Sequence, residues 1–235
     1  MIPLRDNIPS RNVPYINYSI ITLNVFVFLL ELSIRRYLPD FFAHFGIVPV
    51  RYSVPSIAQH FSTIEQIIPF FTSMFLHGGW LHIIGNMWIL YIFGDNVEDR
   101  LGHIKYLIFY LICGVLSGMF HLATNWHSPL PTIGASGAIA GIMGAYFFLF
   151  PHARVLVLFP IFFFIQIFEV PAYFFLGFWF LMQFFNGAMS LGHAATHIYG
   201  GVAWWAHIGG FLAGLYLVQM IIKNPPRVKK RSIYY

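Results

Sequence analysis

The sequence predicts an all-α polytopic membrane protein, a bundle of six transmembrane helices. Three observations carry that prediction. The 235-residue chain is 58% hydrophobic and 20% aromatic but only 9% charged, where soluble domains carry about 25% charge. Its mean hydropathy is +0.71, and such a composition cannot cover a water-facing surface. Apolar runs recur at lengths near the roughly 20 helical residues that a bilayer core of about 30 Å requires. Threading them with both termini on one side places ten of the 13 Lys and Arg residues on that side: Arg5, Arg11, Arg100, Lys105, Arg154, Lys223, Arg227, Lys229, Lys230 and Arg231. The other side receives Arg35, Arg36 and Arg51.

The elements follow in order. Residues 1–17 are polar and hold Pro3, Pro9 and Pro14, so they read as a cytoplasmic N-terminal segment and not as a cleavable signal peptide. The domain covers 18–222, beginning with a span from Tyr18 to Ser33. The loop from Arg35 to Gly79 is long enough to contain short helices lying in the interface. The second span runs from Trp80 to Phe93 and the fourth from Ser136 to Phe150. At about 14 or 15 residues both are short, which places one end of each below the membrane surface in a protein-lined cavity. The third span covers Lys105 to Ala123, the fifth Ala172 to Met189 and the sixth Ala203 to Ile222. Val155 to Phe168 is apolar but broken by Pro160, and reads as an interfacial or re-entrant segment. A basic cytoplasmic tail closes the chain at 223–235. The excess of Lys and Arg on the terminal side predicts a prokaryotic cytoplasmic membrane protein with both termini cytoplasmic and Ser136 opening to the outer side.

Polar groups within such spans are costly and mark functional sites by default. Ser136 opens the fourth span within Gly134-Ala135-Ser136-Gly137, and His207 lies in the sixth within Ala206-His207-Ile208-Gly209-Gly210. Ser136, Ala140 and Gly144 share one helix face, as do Ala206, Gly210 and Gly214. Small residues at that spacing let membrane helices approach closely. If the two faces meet, a hydroxyl meets an imidazole, the two parts of an activated serine nucleophile. His82 and Asn86 share a face of the second span and could donate hydrogen bonds to a developing oxyanion. The plainer alternatives are small-residue packing for the first pair and interhelical glue for the second.

No carboxylate falls beside Ser136 or His207 among the eight acids, so the residues predict a dyad. Asp95, Glu98, Asp99 and Arg100 read as a structural network. His193 and His197 could bind zinc only if helical, and no acid accompanies them, so no metal and no cofactor are expected. Cys113 is the single cysteine, which excludes an intrachain disulfide. The scattered basic residues give no stripe for nucleic acid. A channel would need polar groups through the whole membrane depth, and here they cluster toward one half.

Taken together, His77-Gly78-Gly79-Trp80-Leu81-His82 with Asn86, Glu98-Asp99-Arg100-Leu101-Gly102, Gly134-Ala135-Ser136-Gly137 and Ala206-His207-Ile208-Gly209-Gly210 resemble the motifs of the rhomboid intramembrane serine proteases, in the same order across roughly 77–214. The resemblance implies a rhomboid-like bundle with Ser136 as nucleophile and His207 as base. It implies that His82 and Asn86, beside Gly134, line the oxyanion hole. It further implies transmembrane protein substrates within the lipid bilayer, cleaved without cofactor, with preference for a small residue at the scissile bond. The fifth span would act as a gate, with Phe175, Trp179 and Phe184 facing span two, and 191–202 as a cap. Two features depart from the pattern. Ala140 stands where some members stack an aromatic on the histidine, leaving Tyr146, Trp204 and Trp205 as candidates for that support. The Trp-Arg pair of the first loop is missing as well.

Overall fold

The computed structural model describes residues 1–161, 164–192 and 202–223. Helix α1 (Tyr15–Ser33) buries a single stripe, Asn17, Ile20, Asn24, Phe28 and Glu31. That i, i+3/i+4 spacing marks one packed face on an otherwise lipid-facing helix. Short helical turns follow, Leu38–Phe45, Val50–Ser53, Pro55–Ala58, Thr63–Ile67 and Pro69–Thr72, as expected for the long first loop. Arg51 organises this loop: its guanidinium donates to the carbonyls of His44 and Ala43 and lies 4.2 Å over the Phe61 ring.

Helices α2 (Trp80–Leu101) and α3 (His103–Thr124) meet at Gly102, whose φ of +77° makes the turn between them. Helix α2 therefore extends two turns beyond the short second span read from apolarity alone. Its polar last turns, Asp95 to Arg100, continue the helix because they cap and anchor other elements. Helix α4 (Ser136–Leu149) is buried through most of its length, while α5 (Ala172–Gly192) and α6 (Trp204–Ile221) complete the set. Among the described residues four helices, α1, α3, α5 and α6, are long and apolar enough to cross a membrane. Residues 63–75 with α2 form a further bent pair, kinked by 79°, and α4 is a shorter apolar helix.

The run 155–168, expected as an interfacial or re-entrant segment, falls in two antiparallel strands. Strands β1 (Ile2–Asp6), β2 (Arg154–Ile161) and β3 (Phe164–Pro171) form an antiparallel sheet in the order β1-β2-β3. Its signature is a period of two, with Val155 and Val157 fully buried and Leu156 and Leu158 half-buried, as a pleated strand requires. The N-terminal segment thus supplies an edge strand and the first turn of α1. Trp88 on α2 donates its indole N–H to the Pro3 carbonyl at 2.6 Å, fastening that strand to the bundle. The tail 224–235 and the loop 193–201, including His193, His197 and most of the expected cap, lie outside the described residues.

Candidate active site

Ser136 is the first residue of α4, behind a turn in which Gly134 adopts φ +126°, a conformation that only glycine enters readily. That turn is fastened on three sides. Gly134 N–H donates to the Ser73 carbonyl at 2.8 Å, and Thr132 exchanges backbone hydrogen bonds with Ile47 at 2.8 and 3.0 Å. The Thr132 hydroxyl pairs with His121 Nε2 at 2.7 Å. The first loop and α3 together fix where the serine emerges.

His207 reaches Ser136 because α4 and α6 lie in backbone contact. A Cβ on Gly210 would stand 2.1 Å from the Gly137 carbonyl oxygen, and one on Gly214 would stand 1.9 Å from that of Gly141. No side chain fits at either position. Ser117 on α3 donates to the Ala206 carbonyl at 2.8 Å, holding α6 one residue before the histidine. The outcome is a 2.8 Å hydrogen bond between Ser136 Oγ and His207 Nε2. Ser136 faces a small cavity of about 20 Å³, lined also by Ser73, Met74, Gly114, Thr132 and Ala206 among others.

His82 closes a third side. A Cβ on Gly134 would stand 2.6 Å from His82 Nε2 and 3.6 Å from Ser136 Oγ, so the ring packs on the turn beside the nucleophile. The Gly78 N–H donates to His82 Nδ1 at 3.4 Å, which leaves the hydrogen on Nε2, the atom facing Gly134. Asn86 is placed one turn further along α2, where its amide nitrogen pairs with His77 Nε2 at 3.0 Å. The structure therefore brings Ser136, His207, His82 and Gly134 together, and holds Asn86 just behind them through His77. The His77 backbone N–H in turn donates to the buried Glu31 carboxylate at 3.1 Å.

The support of His207 was not legible in the sequence. Its Nδ1 meets the amide oxygen of Gln183, on α5, at 2.7 Å. Trp179, one turn before Gln183, lies against the ring with centroids 5.8 Å apart, and Trp204 approaches edge-on at 6.4 Å. Of the three aromatic candidates, Trp204 alone is beside the histidine. Tyr146 donates to Asp6 at the opposite end of α4, and Trp205 faces Phe120. Gln183 carries a signal that was passed over, a lone amide within the apolar run Leu181–Phe185. Trp179 and Phe184 do not face α2 as expected. Trp179 packs on α6, and Phe184 is exposed beside Phe185. Phe175 does face α2, stacking on Phe93 at 6.2 Å. Among the described residues, no group of three or more His, Cys, Asp or Glu could hold a metal ion.

A bundle of membrane-length helices with a serine and a histidine hydrogen-bonded in its interior defines a class of polytopic proteins with a buried nucleophile. The Rhomboid domain model matches residues 64–224, and the chain belongs to the rhomboid family. It is 27% identical over 168 residues to Rhomboid protein 1, mitochondrial, of Saccharomyces cerevisiae, covering 68% of this chain and 44% of the relative. It is 29% identical over 179 residues to Presenilin-associated rhomboid-like protein A, mitochondrial, of Danio rerio, covering 72% and 41%. Over 176 residues it is 29% identical to Presenilin-associated rhomboid-like protein, mitochondrial, of Homo sapiens, covering 68% and 41%. The chain spans less than half the length of these relatives. Their names correct the expected location. Mitochondrial relatives overturn the placement in a prokaryotic cytoplasmic membrane, and with it the cytoplasmic termini and the outward-opening site. The positive-residue bias measures only an asymmetry between two sides and does not say which membrane is crossed.

Proposed function

We propose that this chain is an intramembrane serine endopeptidase that cleaves transmembrane helices of other membrane proteins, in a mitochondrial membrane. The observation that carries the reading is the 2.8 Å hydrogen bond from Ser136 Oγ to His207 Nε2 within the bundle. A neutral imidazole nitrogen at that distance takes the hydroxyl proton as Oγ attacks the scissile carbonyl. The same proton then passes to the leaving amine, and water releases the acyl group by the reverse sequence. His82 Nε2–H, Asn86 and the backbone at Gly134 supply the side of the site where the oxyanion would form. Donors preorganised in a water-poor interior stabilise that charge at no reorganisation cost. The small cavity beside Ser136 suits a small side chain at the scissile bond.

The test is cleavage of a model transmembrane substrate by the purified protein, alongside labelling with a fluorophosphonate. Wild type should cleave and be labelled at Ser136 only. Ser136→Ala should lose turnover by a factor on the order of 10⁶ while folding normally, since Ala preserves the close helix approach. Labelling that survives Ser136→Ala would remove the serine from this role.

A further inference from the structure

We propose that Gln183 is a positioning residue for His207: its amide oxygen accepts the Nδ1 proton, holds the imidazole with Nε2 free for Ser136, and ties the readiness of the dyad to the seating of α5 against α6. This rests on the protease reading above and deepens it.

The argument starts from tautomers. Ser136 must donate its hydroxyl hydrogen to His207 Nε2 before losing it, so the one hydrogen of the neutral ring has to sit on Nδ1. A hydrogen on Nδ1 requires an acceptor. The atom 2.7 Å away is Gln183 Oε1, and only the carbonyl end of an amide accepts. With the Nε2–H tautomer, Gln183 would have to turn its NH₂ toward Nδ1, and Nε2 would then donate to the serine and could not serve as base. In a triad a carboxylate makes this selection, and its amide variant costs about 10⁴ in rate by admitting the wrong tautomer. Here a neutral amide makes it. Gln183 is only 6% exposed, and a buried amide is costly unless paired, so its orientation is strongly determined.

The selecting group also sits on a different helix from the base. Gln183 and Trp179 occupy one face of α5, one turn apart, and both meet His207, while Phe180 packs on Phe211 of α6 at 4.9 Å. Seating that face against α6 aligns the ring and fixes its proton at once, whereas displacing it removes both. The position of α5 thereby controls whether the serine is activated.

The experiment uses fluorophosphonate labelling, which needs no helix to be admitted, together with ¹⁵N spectra of His207. Gln183→Met keeps the volume and removes the acceptor. It should label at least tenfold more slowly, and by no more than the roughly 10²–10⁴ that general-base catalysis as a whole contributes. It should lower kcat on a transmembrane substrate with little change in KM, and show a rise in the Nε2–H tautomer. Gln183→Glu retains an acceptor oxygen and should recover both labelling and the Nδ1–H tautomer. A second arm locks the helices. A Cβ on Gly187 would stand 3.4 Å from that of Trp204, close to disulfide geometry. A Gly187→Cys/Trp204→Cys variant should label at least as fast oxidised as reduced, since the lock keeps α5 seated. Wild-type labelling in Gln183→Met, an Nε2–H tautomer in wild type, or labelling lost on oxidation of the double variant would each overturn the proposal. If wild type is never labelled and cleaves nothing, the protease reading fails instead, and the tautomer spectra still judge Gln183.

Discussion

The two ends of α4 hold polar clusters built on opposite rules. At the Ser136 end the groups are a hydroxyl, an amide and imidazoles. The nearby carboxylate, Glu31, is occupied by the backbone N–H of His77 and does not touch the dyad. At the other end, about 15 Å away at 1.5 Å per residue, Tyr146 and Asn96 converge on Asp6. There Glu98 accepts from the N–H groups of Ile16 and Asn17 at 3.0 and 2.7 Å, and Asp99 accepts from Asn12. These acids cap the start of α1 and pin the N-terminal strand, so their carboxylates are engaged in holding the fold. The difference teaches what makes one buried polar cluster reactive and another structural. In the second the acids are engaged by backbone and amide donors, whereas the first leaves a serine with one partner and a histidine whose Nε2 lone pair can take the serine proton.

The comparison breaks most severely where one substitution harms both ends. Gly214→Val would drive side-chain atoms into the Gly141 carbonyl, which as backbone cannot yield. Overpacking of an ordinary core costs about 1–3 kcal/mol, and a backbone collision on the α4–α6 seam should exceed that. The expected outcome is no monodisperse protein in detergent. Gly85→Ala is the control, because nothing lies within 4 Å of a Cβ there. It should be neutral or stabilising by about 0.4–1 kcal/mol. A well-folded Gly214→Val would mean that the seam is looser than its distances imply.

The ends should then separate cleanly. His82→Ala should slow turnover by about 10²–10³, the usual cost of one oxyanion donor, with an unchanged melting temperature. Glu98→Ala should do the reverse. It orphans two N–H groups at the start of α1 and removes the carboxylate beside His103 at 2.5 Å. Each buried unsatisfied group costs about 1–3 kcal/mol. Melting should drop while the specific activity of the folded fraction is retained. The double variant should be additive within about 0.5 kcal/mol, as for sites that share no partner. Strong coupling would show that the two clusters communicate along α4.

What was legible in the sequence follows the same division. The helical membrane class and the meeting of Ser136 with His207 could be read because apolar length and small-residue spacing are local signals. The far end could not. Asp6 meets Tyr146 across 140 residues, and the strand carrying it has no local pattern until β2 is seen beside it. The acids of α2 were recognisable as a network, but not as the cap of α1. Gln183 was missed for a different reason. One amide among aromatics has no periodicity, and its meaning comes only from the atom it faces.

The smallest expected effect concerns how Asp6 titrates. Burial, with Asp95 close by, pushes its carboxyl up to about 7, against the opposing pull of the Tyr146 hydrogen bond. Since the folded state holds this proton more tightly than the unfolded chain, the folded form binds more protons between about pH 4 and 7, and stability falls as pH rises through that window. The contribution is fully present below the unfolded value and lost above the folded one, the reverse of an ion-paired acid. Asp6→Asn keeps an oxygen to accept from Tyr146 and Asn96 and has nothing to ionise. Melting in detergent from pH 5 to pH 8 should therefore decline more for wild type than for Asp6→Asn, with the variant the more stable at pH 8. Fluorophosphonate labelling of Ser136 at a fixed pH should be the same for both proteins. Parallel melting curves would show that Asp6 is ionised throughout, and that the strand is held by a charge where a neutral acid is expected.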